Sequence, residues 1–304
     1  MRPLVWILLL ACTFSALAQQ PEEERRKQWL ERVMKAQTAA PAPPVRDGSG
    51  VTAEDVEMQS STLGRVMHYR VLLPAGYTQS HRHYPVLYML HGFLNPYYEW
   101  DRQTELARHM APYDVIVVLV QGDNAFYLDS AVPGSRDQYQ TYFNRELMPH
   151  VAARYRIITE THGRAIAGVS MGGYGAMLSI LKRPGAWVFA ATFAGAVNFA
   201  QDTELQKNLA PVFDVRALGN RDTVDVMKLL AAADVALLPY VYIVCGADDH
   251  LLPENLAFQK ALQEKKVRHE LHIVPGGHEW IVWDEQLPQM FARMAQLIPS
   301  MRKR

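Results

Sequence analysis

The most constraining feature of the chain is the pentapeptide GVSMG at residues 168–172, which follows a short apolar run. A serine between glycines after an apolar run is typical of a sharp strand-to-helix turn, where strained backbone leaves no room for large neighbours. Gly168, Gly172 and Gly173 meet this steric requirement. The pattern predicts a nucleophile at Ser170, although five residues of such common types are only suggestive by themselves.

A nucleophilic serine needs a histidine base and a carboxylate that orients it, and after such a turn the acid precedes the histidine in the chain. The apolar, β-rich run at residues 240–246 ends in glycine and is followed by Asp248, Asp249 and His250. Composition does not separate two adjacent carboxylates, so both are candidates for the acid. His250 is interpreted as a solvated loop residue.

The base is predicted after the next strand candidate, residues 269–274, which ends at the turn Pro-Gly-Gly. His278 follows that turn directly. A loop at the carboxyl end of a later strand is where the base of such a site belongs. His272, within the strand pattern, is interpreted as packed or on the surface.

The fold class follows from the alternation of strand and helix patterns. Further strand candidates lie at residues 66–73, 84–90, 114–121 and 187–193. Their alternation with helical stretches predicts an α/β fold, a doubly wound and mostly parallel sheet with helices on both faces. His91, in the HGF turn that follows residues 84–90, is interpreted as a structural hydrogen bonder. Residues 203–234 are expected to carry a short excursion and a helix that covers the sheet.

Several longer motifs reach beyond the pentapeptide: SMGGYGA around the serine, FNRELMPHVAARYRI ahead of it, DNAFYLDS, CGADDHLLPEN and GGHEW. With these motifs, residues 56–297 resemble the esterase family of α/β-hydrolases that includes esterase D, feruloyl and acetylxylan esterases, enterochelin esterases and mycolyltransferases. One departure is Ala-Gly-Ala at residues 194–196, where the family often has Ser-Gly-Ala. This change affects packing behind the site rather than its chemistry.

The resemblance implies a role for each motif. Ser170 would be the nucleophile, His278 the general base and Asp249 the orienting acid, because the family's acid lies three residues after the glycine of Cys-Gly. The backbone N–H groups of Met171 and Phe93 would stabilise the oxyanion.

Aromatic residues supply the sequence clues to the substrate. Trp100, Tyr127 and Trp280 are predicted substrate contacts, because aromatic faces suit sugar rings or aryl acids. Trp280 and Trp283 are equally consistent with anchoring the last helix.

Three functions are compatible with these motifs. The first is a secreted carboxylesterase acting on an acylated carbohydrate or a hydroxycinnamate ester. The second is an acyltransferase of the mycolyltransferase kind, and the third is an inactive binding protein of the same fold. S-formylglutathione is disfavoured as a substrate because it is cytosolic.

The amino terminus predicts export to the periplasm or the medium. A short basic start, an apolar stretch at residues 4–17 and the tripeptide Ala-Leu-Ala at residues 16–18 are typical of a signal peptide cleaved after Ala18. The stretch is shorter than the about 20 residues that span a membrane. Lipidation at Cys12 is the alternative.

Residues 19–50 combine a charged leader with a Pro/Gly linker, which places the esterase domain at residues 51–304. The remaining length suits one α/β domain.

Charge and motif content exclude other classes of function. The chain has 31 basic and 31 acidic residues, which gives no electrostatic case for nucleic acid. Zinc-type ligand spacing, a GxGxxG fingerprint and a P-loop are missing from the sequence, so no metal and no cofactor are expected. After cleavage Cys245 would be the one cysteine left, which excludes an internal disulfide. The sequence does not specify an oligomeric state.

Overall fold

The structure, a computed structural model, describes Pro43 and residues 48–303. The predicted signal peptide, Cys12 and most of the predicted leader and linker lie outside the described residues. Among the residues described, no helix is both long and apolar enough to cross a membrane.

The described chain is organised around one sheet. Its eight strands are β1 Thr52–Ser60, β2 Arg65–Leu73, β3 Val86–Leu90, β4 Ile116–Val120, β5 Arg164–Val169, β6 Phe189–Phe193, β7 Tyr240–Gly246 and β8 His269–Val274. They lie in the order β1-β2-β4-β3-β5-β6-β7-β8. Pairing is antiparallel between β1 and β2 and between β2 and β4, and parallel from β4 through β8.

Helices connect the strands. They are α1 Glu99–Gln103, α2 Leu106–Met110, α3 Tyr139–Tyr142, α4 Met148–Arg154, α5 Met171–Lys182, α6 Thr203–Leu209, α7 Val226–Ala232, α8 Leu252–Glu264, α9 Trp280–Asp284 and α10 Leu287–Leu297. A π-helical segment, Phe143–Leu147, joins α3 to α4. The predicted excursion at residues 203–234 contains α6, α7 and two short 3-10 turns, and a third 3-10 turn, Val235–Leu237, follows it before β7.

The central strands of the sheet are buried on both faces. Every residue of β3, β4 and β6 is buried, as expected for parallel strands that helices cover on two sides. Alternate residues of β3 enter different cores: Tyr88 packs in the core that contains α5, and Leu87 packs in the core that contains α10. The chain thus has the doubly wound α/β-hydrolase fold that the strand pattern and the resemblance predict.

The predicted strands match the observed ones to within about two residues at each end. Strand β1 was not predicted, because its sequence TAEDVEMQS is largely polar; none of its first four residues is buried. Strand β1 pairs in register with β2 over all nine residues and forms one edge of the sheet.

One carboxylate in the π-helical segment, that of Glu146, joins the β1–β2 turn to the helical layer. The Glu146 carboxylate accepts hydrogen bonds from the hydroxyls of Ser60, Ser61 and Thr62 and from the Thr62 N–H. Burial alone would raise the pKa of Glu146, but these hydrogen bonds outweigh it and lower the pKa from 4.5 to about 2. The hairpin is therefore tied to the helix by an ionised carboxylate.

We expect Glu146→Gln to lower the free energy of unfolding at pH 7 by about 1 kcal/mol, a modest value because the carboxylate is partly exposed. The folded-state pKa lies below the unfolded one, so this contribution is complete above about pH 4.5 and is lost as the pH falls towards 2. Urea unfolding at a series of pH values measures it, with Glu57→Gln on β1 as the exposed control. A difference that persists unchanged at pH 2 would contradict this assignment.

Candidate active site

Ser170 lies in the turn between β5 and α5 and has a strained backbone. Its φ of 54° and ψ of −115° are unusual for a residue with a side chain. The Ser170 N–H donates to Phe193 O at 2.9 Å, and its carbonyl accepts from Tyr174 N at 3.0 Å and from Ala196 N at 3.1 Å. Hydrogen bonds with α5, with β6 and with the loop after β6 therefore hold the conformation in place. Ser170 itself remains partly exposed.

The glycines around Ser170 allow the strand, the helix and the neighbouring turns to approach closely. A Cβ at Gly168 would lie 2.1 Å from Gly172 O, and one at Gly172 would lie 2.4 Å from Leu90 O. At Gly173 an added Cβ would lie 2.5 Å from Thr192 Oγ1. The predicted steric requirement for glycine at these three positions is confirmed.

The two candidate acids differ in burial. Asp248 is exposed, whereas the Asp249 side chain is 0% exposed. Asp249 Oδ1 accepts from Leu251 N at 2.8 Å, and Oδ2 lies 2.9 Å from His278 Nδ1. Burial alone would raise the pKa of Asp249, but the hydrogen bonds from His278 and from the Leu251 N–H hold it below its usual range. The buried carboxylate is therefore ionised at neutral pH.

His278 follows β8, and its side chain is 26% exposed. The contact with Asp249 assigns the imidazole proton to Nδ1 and leaves Nε2 as an acceptor. The edge of the Trp283 ring packs against the imidazole, with ring centroids 5.0 Å apart. In the described residues no hydrogen bond joins Ser170 Oγ to His278; such bonds often form only when a ligand is bound.

The loops that carry these two residues are paired with each other. Ala247 N donates to Val274 O at 2.7 Å, and Asp248 N donates to Gly276 O at 2.9 Å. A Cβ at Gly246 would lie 2.3 Å from Gly276 O, so the approach requires glycine there. This pairing continues the β7–β8 ladder and sets the distance between the acid and the histidine.

The two predicted oxyanion donors are Met171, at the start of α5, and Phe93, in the turn after β3. In the described part of the chain, no backbone or side-chain acceptor receives a hydrogen bond from the N–H of either residue. A first-turn N–H has no partner within its own helix, so the Met171 N–H is available to a ligand. His91 is structural, as predicted: Nδ1 contacts Gly92 O at 2.8 Å, and Nε2 accepts from Gly122 N at 3.0 Å. Burial lowers its pKa.

The segment at residues 121–127, which overlaps the DNAFYLDS motif, holds the turn after β3. Three of its non-glycine residues have positive φ: Asp123, Phe126 and Tyr127. Asn124 Oδ1 accepts from Leu94 N at 2.8 Å, and Gln121 Oε1 accepts from Tyr97 N at 2.8 Å. The strained segment at residues 121–127 therefore supports the loop that carries Phe93.

The predicted aromatic contacts differ in accessibility. Trp100 is 0% exposed and donates from Nε1 to Leu90 O at 3.0 Å. Tyr127 is 6% exposed, and its hydroxyl donates to His91 O at 3.2 Å. Trp280 is half-buried and packs edge-on against Trp100. A buried ring presents no face to a bound molecule, so the structure places Trp100 and Tyr127 behind the site, and Trp280 retains an accessible surface.

Two residues of α8, Glu254 and Asn255, end the CGADDHLLPEN motif, but the sequence analysis assigned them no role. Glu254 Oε2 accepts from Asn198 N at 2.7 Å, and Asn255 Nδ2 donates to Gly195 O at 2.9 Å. Burial raises the pKa of Glu254 to about 7. Both side chains hold the loop after β6, which in turn contacts the Ser170 carbonyl. A polar pair at the start of a helix carries no signal in the sequence that distinguishes it from a solvated surface.

Two further groups with possible chemistry lie near the acid. The side chains of Asp249, His250 and His278 bring carboxylate and imidazole atoms within 4.8 Å of one another, which is a set that could hold a metal ion. Cys245 is buried, and burial raises the pKa of its thiol to about 12, so it stays protonated at neutral pH.

Comparison with known proteins agrees with this architecture. Residues 60–294 match the family described as "Putative esterase". An acetyl esterase of Caldicellulosiruptor saccharolyticus is 24% identical over 223 residues, which are 69% of this chain and 83% of that protein. An esterase of Mycobacterium tuberculosis is 28% identical over 250 residues, but these are 54% of its length, so the chain spans about half of that relative.

Among solved structures, a ferulic acid esterase is 25% identical and superimposes with a TM-score of 0.69 over 81% of this chain and 99% of that one. The family match covers most of the chain, and the sheet order and the serine turn agree with it. The chain therefore belongs to this esterase family and is a serine esterase, a carboxylic ester hydrolase of the α/β-hydrolase fold.

Proposed function

We propose that the protein hydrolyses a carboxylic ester through an acyl-enzyme formed on Ser170, with His278 as the general base and Asp249 as the orienting acid. The observation that carries this proposal is the hydrogen bond of 2.9 Å between His278 Nδ1 and a fully buried Asp249 carboxylate. This contact leaves Nε2 free to accept a proton, at the edge of the sheet where the strained turn presents Ser170.

In the first half of the reaction, Ser170 Oγ attacks the ester carbonyl while its proton passes to His278 Nε2. The carbonyl electron pair moves onto the oxygen, where the N–H groups of Met171 and Phe93 donate to it. The tetrahedral intermediate then expels the alkoxide, which takes the proton from Nε2 and leaves as the alcohol. Asp249 stabilises the imidazolium in between.

In the second half, water takes the place of the alcohol. His278 Nε2 removes a proton from water as the water oxygen attacks the acyl carbon. The N–H groups of Met171 and Phe93 stabilise the second oxyanion. Collapse releases the carboxylic acid and returns the proton to Ser170 Oγ. No cofactor is needed for either half.

The substrate we propose is an acylated carbohydrate or an ester of a hydroxycinnamic acid. Trp280 supports it, because this accessible ring lies two residues after His278 and could pack against an aryl or sugar ring. The names of two similar proteins, an acetyl esterase and a ferulic acid esterase, support acetyl and feruloyl as the acyl groups.

We expect Ser170→Ala to lower turnover by about a millionfold, because the removed hydroxyl is the attacking group. Hydrolysis rates on methyl ferulate and acetylated xylan measure this loss, with p-nitrophenyl acetate as a reference ester. Repeating the assays with a sugar acceptor detects acyl transfer. Ser179→Ala, at a buried serine on α5, the helix that follows Ser170, is the matched control. If the folded Ser170 variant keeps more than about a tenth of the wild-type rate, another nucleophile is responsible.

The acid assignment gives a second test, because two adjacent aspartates differ in burial. We expect Asp249→Asn to lower turnover by about ten-thousandfold, the scale known for the equivalent change in a serine protease. Asp248→Asn, at an exposed position, should cost far less. Turnover of both variants on one p-nitrophenyl ester decides the assignment, and a crippled Asp248 variant beside an active Asp249 variant would reverse it.

We also propose that the enzyme is exported. The basic start, the apolar stretch and the Ala-Leu-Ala tripeptide at residues 16–18 support cleavage after Ala18. Mass spectrometry of the amino terminus after expression in a bacterium should find Gln19 as the first residue. A lipid on Cys12 would indicate a membrane-anchored lipoprotein instead, and an intact Met1 would remove both forms of export.

A further inference from the structure

His250 has no role in the proposed reaction, yet it lies beside the acid and the base. Its side chain is 67% exposed, and Nδ1 lies 3.6 Å from Asp249 Oδ1. The centroids of the His250 and His278 rings are 5.0 Å apart. A second imidazole therefore faces the Asp249–His278 pair from the solvent side.

The ligand types in this group suit a borderline-soft divalent cation. Two imidazole nitrogens and one carboxylate oxygen form the set that Zn²⁺ binds with an open fourth position. The three atoms lie within 4.8 Å of one another. Ligand atoms around tetrahedral zinc are about 3.3 Å apart, as bonds of about 2.0 Å require, so small side-chain rotations bring them together.

The framework of this group is already ordered. Leu251 N holds the Asp249 carboxylate at 2.8 Å, and the bond from Asp248 N to Gly276 O fixes the two loops relative to each other. The exposed His250 side chain is free to rotate towards the metal. The three ligands leave the fourth coordination position open to water. Binding of a metal therefore requires little ordering of the backbone.

We propose that Asp249, His250 and His278 form an inhibitory binding site for Zn²⁺. The inhibition rests on the proposed function, since it acts through the imidazole of the general base.

Inhibition follows from the tautomer of His278. The contact of 2.9 Å with the ionised Asp249 carboxylate assigns the proton to Nδ1, which donates a hydrogen bond to Oδ2. Zinc on Nδ1 needs the lone pair there, so the proton moves through solvent to Nε2 and the imidazole stays neutral. Nε2 then becomes a donor and no longer accepts the Ser170 proton. No proton is gained or lost in this exchange, and removal of the metal restores the active tautomer.

Another imidazole-containing groove lies at the opposite end of the sheet, where His83, Glu160 and His162 line a surface pocket of about 580 Å³. A metal bound there would not touch the Asp249–His278 pair. His162, which is exposed in the turn before β5, therefore provides a matched control for His250.

The test titrates the untagged full chain with zinc chloride and follows p-nitrophenyl acetate hydrolysis, with each variant normalised to its own metal-free rate. We expect reversible inhibition that a chelator relieves and that magnesium chloride does not reproduce, because Mg²⁺ prefers oxygen ligands. His250→Ala should raise the half-inhibitory zinc concentration by about tenfold or more, the loss seen even for outer partners of metal ligands. His162→Ala should leave it unchanged.

Calorimetric titration of Ser170→Ala with zinc chloride separates this proposal from the reaction itself, because it needs no turnover. One zinc per chain is expected, and the double variant Ser170→Ala, His250→Ala should lose that binding. Equal zinc sensitivity of the wild type and His250→Ala, or binding that depends on His162 instead, overturns the site. A chain that binds zinc through His250 but hydrolyses no ester would contradict the proposed function and leave the metal site standing.

Discussion

The strained turn at Ser170 is the constraint on which the rest of the site depends. A non-glycine residue at φ 54° and ψ −115° costs on the order of 1–3 kcal/mol, which its surroundings have to offset. The Ser170 N–H donates to the Phe193 carbonyl, and the Ser170 carbonyl accepts from the N–H groups of Tyr174 and Ala196, which offsets this cost locally. The helix that follows is buried at every position from Met171 to Leu181, so the turn cannot relax without exposing a large part of the core.

The acid and the histidine depend on a second constraint, the register of β7 and β8. Their loops continue the ladder past the ends of the strands, which sets Asp249 opposite His278. A buried carboxylate is costly unless it is paired, and the hydrogen bonds to Asp249 both satisfy it and keep it ionised. The same proximity makes this pair sensitive to a metal that recruits His250.

Around these two constraints, much of the polar structure serves to hold loops. Residues 121–127 brace the turn that carries Phe93, and Glu254 and Asn255 brace the loop after β6. These contacts come from side chains on different elements, yet all act on backbone at the carboxyl edge of the parallel strands. Loops on a rigid sheet can therefore keep strained conformations that a flexible segment would lose.

The sequence by itself determined the class of fold and the order of the serine, the acid and the histidine along the chain. These features rest on local patterns: small residues around Ser170, apolar runs of strand length and the glycine turn before His278. Local sterics and periodicity determine such patterns, so a short window of sequence contains them. Only the tertiary structure decided the burial of Asp249 against the exposure of Asp248, the withdrawal of Trp100 and Tyr127 into the core, and the approach of His250 to His278. These depend on contacts between residues far apart in the chain, such as the pair separated by 29 positions that joins Asp249 to His278. Strand register and helix packing set such contacts, and no short window of sequence contains them.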